Sequence, residues 1–166
     1  MRRLSALLAL PLLAGCMAAG PEPLPVPGGA GTLSFAAIQE VAAVSPASFG
    51  EALNQYRARA GLGGLRPDSH LDRAAQAHAE DMVRHGYFSH HGRDGSTATQ
   101  RARAAGCNGR GYFAENIAWG QRTAQDVFAG WAASSGHRAN MLGRPYGVFG
   151  LGQSQGVWVL MFADDC

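Results

Sequence analysis

The order of helical and strand patterns along this sequence predicts an α+β domain. Helical patterns come first, and two runs rich in β-branched and aromatic residues close the chain. Because helices and strands are segregated instead of alternating, the sequence favours a layered α+β fold. A hydrophobic content of 46% with 16% charged residues is typical of a globular chain, and 166 residues suit one domain.

The first 32 residues predict export and attachment to a membrane, and they are not expected to belong to the folded domain. A basic start precedes an apolar run over residues 4–13, which is too short for a permanent membrane span. The run ends at Leu13-Ala14-Gly15-Cys16, which resembles a bacterial lipobox. We therefore expect residues 1–15 to be a signal peptide and Cys16 to carry lipid that binds the membrane. An ordinary secretory signal that contains a Cys is the alternative.

A tether and a short helix are expected before the domain. Residues 16–32 hold alternating prolines and then glycines, which predict an extended and then flexible spacer. Residues 33–47 carry apolar side chains at helical spacing and predict a short lead-in helix. The folded domain is expected over residues 48–166.

Capping signals place the helices of this domain. Ser48 with Glu51 opens the first helix, which Gly61 ends. A second helix opens at Ser69 and ends at Gly86, with His78 on its inward face. Three further helical stretches follow: Thr97–Ala105, a helix opened by Thr123 with Trp131 on its apolar side, and one or two turns over His137–Leu142.

Two strand patterns form a hairpin signal at the end of the chain. Val148–Leu151 and Val157–Phe162 are rich in strand-forming residues and flank a turn at Gln153–Gly156. The segment around Glu115 is too short and mixed to be assigned to a helix or a strand.

The stretch Gly111–Gly120 contains the first candidate site residue. It places Glu115 among apolar neighbours, where a carboxylate is costly to bury unless it is paired or bound to a cation. His90 upstream and His137 downstream are the expected partners, meeting Glu115 in one cleft. Two imidazoles and a carboxylate are the ligand set of many open zinc sites. The same trio also suits general acid–base chemistry with Glu115 as the candidate base, or a structural clamp.

Charge and cysteine content limit the partners. The chain has 14 arginines, no lysine and 12 acidic residues, without a basic run, so nucleic acid is not an expected partner.

If Cys16 carries lipid, Cys107 and Cys166 remain, and in an exported protein they are expected to form a disulfide. Two free thiols are the alternative.

Three ordered motifs resemble the bacterial branch of the CAP superfamily. This superfamily includes the cysteine-rich secretory, antigen 5 and pathogenesis-related proteins, also called SCP-domain proteins. The resemblance covers roughly residues 48–163 and implies a three-layer α-β-α sandwich with a central, mainly antiparallel sheet. The motifs are Phe88-Ser-His90, Ala114-Glu-Asn-Ile-Ala118 and Trp131-Ala-Ala-Ser-Ser-Gly-His-Arg-Ala-Asn-Met141.

The resemblance also implies a cleft lined by two histidines and two acids. His90, Glu115 and His137 match three of these positions, whereas Ser134 stands where the second acid is expected. His78 is the candidate to fill that gap. Asn116 and Trp131, which belong to the matching motifs, are expected to support the cleft.

Three functions follow as expectations. The first is a monomeric, lipid-anchored module of the bacterial cell envelope whose cleft binds a divalent ion, with zinc as the expected metal, and whose partner is a protein or lipid. The second is a metal-dependent, peptidase-like hydrolase of peptides or envelope polymers. The third is a binder of small lipids or sterols.

Overall fold

The computed structural model describes residues 49–166. The predicted signal peptide, the tether with Cys16, the lead-in helix over residues 33–47 and the cap residue Ser48 lie outside the described residues. Within the described part of the chain, no helix has the length and apolar character needed to cross a membrane.

The described residues form five helices and four strands. In chain order these are α1 (Phe49–Arg59), β1 (Arg66–Pro67), α2 (Ser69–His85), α3 (Ala98–Ala104), β2 (Phe113–Trp119), α4 (Ala124–Ala133), α5 (Ser135–Met141), β3 (Val148–Ser154) and β4 (Val157–Ala163).

The four strands form one sheet in the order β1-β3-β4-β2. β1 pairs with β3 in parallel, and the other two pairings are antiparallel. The segment around Glu115, which the sequence left unassigned, is β2, and it lies at one edge of the sheet. The predicted hairpin is confirmed, but its strands are longer than expected and leave only Gln155 and Gly156 in the turn.

Helices cover both faces of this sheet. Side chains of β4 alternate, as strand geometry requires. Trp158, Leu160 and Phe162 pack in the core with α1 and α4. Val159 and Met161 pack in the core with α2 and α3. The predicted three-layer α-β-α sandwich with a mainly antiparallel sheet is therefore confirmed.

The helix ends follow the capping signals, with one correction. Gly86 ends α2 in the left-handed conformation, with φ of 63°, and Thr97 forms a capping box with Gln100 at the start of α3. Thr123 caps α4. The second helix begins at Ser69 as predicted, but its cap is Asp68, whose carboxylate accepts from two backbone N–H groups.

Two contacts fix α2 against the sheet and hence the loop that follows it. Gly150 and Gly152 of β3 touch the α2 backbone so closely that a Cβ atom at either position has no room. The Asp72 carboxylate accepts the Leu151 N–H at 2.9 Å, so part of the β3 edge is paired by a helix side chain instead of a strand.

A disulfide between Cys107 and Cys166 joins the last residue to the segment before β2. The predicted pairing of these two cysteines is therefore confirmed. It closes a loop with a sequence separation of 59 residues, which on the chain-entropy model stabilises the fold by about 4 kcal/mol.

Candidate functional site

Glu115 is the buried centre of the site. Its side chain is only 3% exposed, and both carboxylate oxygens accept charged or polar donors. Oε1 accepts from His90 Nδ1 at 2.8 Å, and Oε2 accepts from Arg101 Nη2 at 2.7 Å. The structure therefore brings His90 and Glu115 together as the sequence predicted. Because a carboxylate only accepts hydrogen bonds, His90 carries its proton on Nδ1 and directs Nε2 elsewhere.

Arg101 is the partner that sequence reasoning missed. It lies on α3, which the Thr97 cap fixes, and its side chain is 12% exposed. Besides Glu115, its guanidinium donates to Ser96 O at 2.8 Å and to His90 O at 3.0 Å. One arginine thus holds both the carboxylate and the backbone of the loop that bears His90. The sequence has no lysine, so a cationic partner could only be an arginine or a histidine, but no spacing distinguishes Arg101 from the other arginines.

His137 lies on α5, and buried amides tie that helix to β2. Asn116 is fully buried, and its Nδ2 donates to His137 O at 3.0 Å. Asn140 Nδ2 in turn donates to Asn116 Oδ1 at 2.8 Å. Asn116 therefore holds the backbone of His137.

The other end of α5 is held by Arg57, a second buried arginine that sequence reasoning missed. Its Nη1 donates to Met141 O at 2.8 Å and to Gly143 O at 3.0 Å. A cation at this position satisfies carbonyl groups that a helix C-terminus leaves unpaired and complements the helix dipole. Arg57 therefore helps to fix the helix that carries His137.

The ring of His137 is biased toward its neutral form. Burial lowers the pKa of His137 from its ordinary value, and charge on His90 lowers that pKa further. The His90 side chain is 53% exposed, so its ring is open to solvent. At neutral pH, His137 is thus predominantly uncharged.

His78, Trp131 and Ser134 lie around the pair in different roles. His78 is buried, and its Nε2 donates to Ser89 O at 2.9 Å, one residue before His90. Burial and the charge of Arg101 lower the pKa of His78. Trp131 is buried and donates from Nε1 to Ile117 O on β2 at 3.3 Å. Ser134 forms the junction between α4 and α5.

The donor groups allow a test of whether a metal fits here. Within residues 49–166, no group of three or more His, Cys, Asp and Glu side chains is arranged to hold a metal ion. The ligand set of His90, Glu115 and His137 thus stays a prediction. Glu115 fits that role poorly, because both of its oxygens already accept hydrogen bonds and a guanidinium stands beside it. Glu115 instead fits the role of a group that orients the ring of His90, whose Nε2 is left as a nitrogen ligand.

Comparisons with known proteins agree on one family. A family model described as CAP, the cysteine-rich secretory protein family, matches residues 51–160. The uncharacterized protein YkwD of Bacillus subtilis is 32% identical over 114 residues, which cover 68% of this chain and 44% of that protein. The chain therefore spans less than half the length of this relative.

Solved structures with the same fold come from other bacteria. An extracellular protein with an SCP domain from Bacillus anthracis is 25% identical, with a TM-score of 0.68 over 81% of this chain and 45% of its own. An outer surface protein of Borrelia burgdorferi is 19% identical, with a TM-score of 0.61 over 71% of this chain and 90% of its own. The second comparison bears on the fold alone. The extracellular location of the Bacillus anthracis protein supports export of this chain.

Proposed function

The chain belongs to the CAP family of cysteine-rich secretory proteins, and from that premise we propose that it is an exported module whose cleft binds a divalent metal ion. The imidazoles of His90 and His137 are the proposed ligands, and zinc is the proposed metal. Neutral imidazole is a good ligand for zinc, and water completes the coordination in an open site.

One observation carries this proposal: Arg101, Glu115 and His90 form a continuous chain of charge-assisted hydrogen bonds. A carboxylate that accepts from the inner nitrogen of an imidazole fixes the tautomer and makes the outer nitrogen a better ligand. Arg101 holds Glu115 in place, so the ring of His90 is oriented before any metal arrives. Glu115 thus acts through His90 and does not contact the metal.

The described contacts of Arg101 and Glu115 hold and orient the ring of His90. A zinc ion bound here supplies a Lewis acid for water or for an oxygen ligand. In the predicted alternative, a metal-dependent hydrolase, Glu115 is the base. Its burial and its ion pair with Arg101 argue against that role, because a base must reach the water it activates and the Glu115 side chain is only 3% exposed. We therefore favour binding without turnover.

A second candidate function, small-lipid binding, is favoured by a separate cavity. A space of about 1070 Å³ opens between α1, α2 and β3, with Phe49, Phe149 and Leu151 among its walls, and neither His90 nor His137 lines it. Titration with a fluorescent fatty acid tests this function. Saturable binding that Leu151→Glu abolishes and His137→Ala leaves unchanged supports it, and the absence of saturable binding excludes it.

The proposed location is the outer side of a bacterial membrane, with lipid on Cys16 as the anchor. Mass spectrometry of the exported protein tests the anchor directly. A lipid mass on an N-terminal Cys16 peptide supports it, whereas a soluble, unmodified product contradicts it.

The metal proposal is tested by calorimetric titration of the full chain with zinc. We expect binding that His90→Ala and His137→Ala each abolish, while His91→Ala, which removes the exposed neighbour, leaves it unchanged. Glu115→Gln should weaken binding by roughly 10–100-fold, as other changes to the groups behind a ligand do. Binding that survives in His90→Ala and His137→Ala, or no binding by the folded parent, refutes the proposal and leaves the trio as a structural clamp.

A further inference from the structure

An exposed aromatic groove lies beside the cleft. Three large hydrophobic side chains are exposed in the described part of the chain, and two of them, Phe88 and Trp119, form a pair. Their ring centroids are 6.3 Å apart and the ring planes are inclined by 36°. The exposed fractions are 45% for Phe88 and 68% for Trp119, which is unusual for rings of this size without a partner.

The two rings form the walls of a defined cavity. Its volume is about 400 Å³, and Met82, Tyr87 and Val157 contribute to its floor. Gln155 supplies a polar group at the rim. This volume is in the range of small-ligand pockets. We propose that this groove binds an N-acetylated sugar ring of a polysaccharide.

The chemistry of the groove matches such a ring. A sugar presents C–H groups on its faces and polar groups around its rim, and aromatic faces attract polarised C–H groups through their negative charge. The indole N–H of Trp119 and the side-chain amide of Gln155 have no hydrogen-bond partner within residues 49–166, so both are available to hydroxyl and acetamido groups. The apolar floor suits the methyl of an acetamido group. An acyl chain carries no groups that hydrogen-bond with these two polar groups.

The backbone of Gln155 provides a separate observation. Among residues 49–166 it is the only one besides glycines with positive φ, at 43°. The tight β3–β4 turn requires this conformation, and glycine or asparagine is the preferred residue there. The turn thus places the Gln155 amide side chain beside the cavity that it lines.

The groove shares β2 and the loop before His90 with the His90–Glu115 pair. Glu115 and Trp119 are four residues apart on β2 and therefore point to the same face, about 13 Å apart along the strand. Phe88 is two residues before His90 in the loop that Arg101 holds. The sugar site goes beyond the proposed metal site and does not require it.

Tryptophan fluorescence tests this proposal in the full chain. Of the three tryptophans, Trp131 and Trp158 are buried, so changes on ligand addition report on Trp119. Titration with a soluble tetramer of β-1,4-linked N-acetylglucosamine should shift the emission to shorter wavelength and protect it from acrylamide. Trp119→Ala should weaken binding by about tenfold or more, as measured by calorimetry, since central aromatic contacts carry most of the affinity at such sites.

The controls separate this site from the fold and from the metal. Tyr112→Ala removes the third exposed aromatic residue, which does not line the groove, and should leave the affinity unchanged. His137→Ala and added EDTA should also leave sugar binding intact. No spectral change with the tetramer, binding that persists in a folded Trp119→Ala variant, or a shift seen only with phosphatidylglycerol vesicles overturns the proposal.

Discussion

Replacing Arg101 by methionine removes the guanidinium that donates to Glu115. The Glu115 side chain is 3% exposed, and after the change His90 remains as the side-chain donor to its carboxylate within residues 49–166. Methionine retains much of the apolar stem of the arginine, so the main loss is charge and hydrogen bonding, not packing. The variant therefore measures how much the fold depends on pairing this buried carboxylate.

The expected loss in the free energy of unfolding is large for a single substitution. Removing one partner of a buried ion pair typically costs about 3–5 kcal/mol, because an uncompensated charge is left inside. Arg101 also donates to two backbone carbonyls, Ser96 O and His90 O, and each such bond is worth about 1 kcal/mol. Because these terms overlap, we expect a loss of about 4 kcal/mol in the free energy of unfolding, or roughly 10–20 °C in Tm.

Urea unfolding followed by tryptophan fluorescence, with the disulfide intact, measures this loss. Arg103→Met on the same helix is the matched control, since Arg103 is exposed and only covers the Phe113 ring at 5.8 Å, a contact worth about 0.5–1 kcal/mol. In the double variant with Glu115→Gln the lone buried charge is gone, so most of the stability should return. A loss below about 1 kcal/mol in Arg101→Met, or additive losses in the double variant, refutes this reasoning.

Three further predictions concern pH, the disulfide and the sheet edge. Burial lowers the pKa of His78, so this side chain binds a proton more readily in the unfolded chain than in the folded one. The free energy of unfolding should therefore be highest above about pH 6.5 and fall below that pH. Urea unfolding at pH 7.5 and 5.5 should show a smaller pH dependence for His78→Gln than for the parent chain. Cys166→Ser should lower the free energy of unfolding by about 4 kcal/mol, and a reducing agent should then have no further effect on the melting temperature. Asp72→Ala leaves the Leu151 N–H unpaired and should cost about 1–3 kcal/mol in urea unfolding, whereas Asp126→Ala, which alters an exposed cap contact, should cost about 1 kcal/mol or less.

Local signals in the sequence were enough to predict the helices and the hairpin. Capping residues and terminal glycines act within one turn of the backbone, so Thr97, Gly86 and Thr123 mark helix ends without knowledge of the rest of the fold. The assignment of β2 required tertiary information. Its strand state depends on pairing with β4, which lies well beyond it along the chain. The two-residue strand β1 carries too little pattern to be predicted.

Only part of the candidate site could be predicted from the sequence. A carboxylate inside an apolar segment requires a partner, which pointed to Glu115, and the family motifs supplied His90 and His137. Arg57 and Arg101 could not be selected from the many arginines that follow the predicted leader, because their role depends on which backbone carbonyls lie within reach in the folded chain. The resemblance also could not say whether Glu115 contacts a metal or orients a ligand.

The position of β2 at the sheet edge lets its side chains contact both helical layers. Consecutive side chains of a strand point to opposite faces. Glu115 accordingly contacts His90 and Arg101 in the layer of α2 and α3, whereas Asn116 contacts the backbone of His137 in the layer of α4 and α5. Only beyond the last strand can groups from both layers approach each other without the sheet between them.

The same edge would otherwise expose unpaired backbone groups, which promote association between sheets. Side chains of the second helical layer satisfy two of them: Trp131 donates to Ile117 O, and Asn140 lies 3.4 Å from Glu115 O. The residues that close the edge therefore also set the distance between α5 and β2, and with it the position of His137. Asn140 therefore both covers the sheet edge and helps to position α5. A change at Asn140 should affect association between sheets and metal binding together.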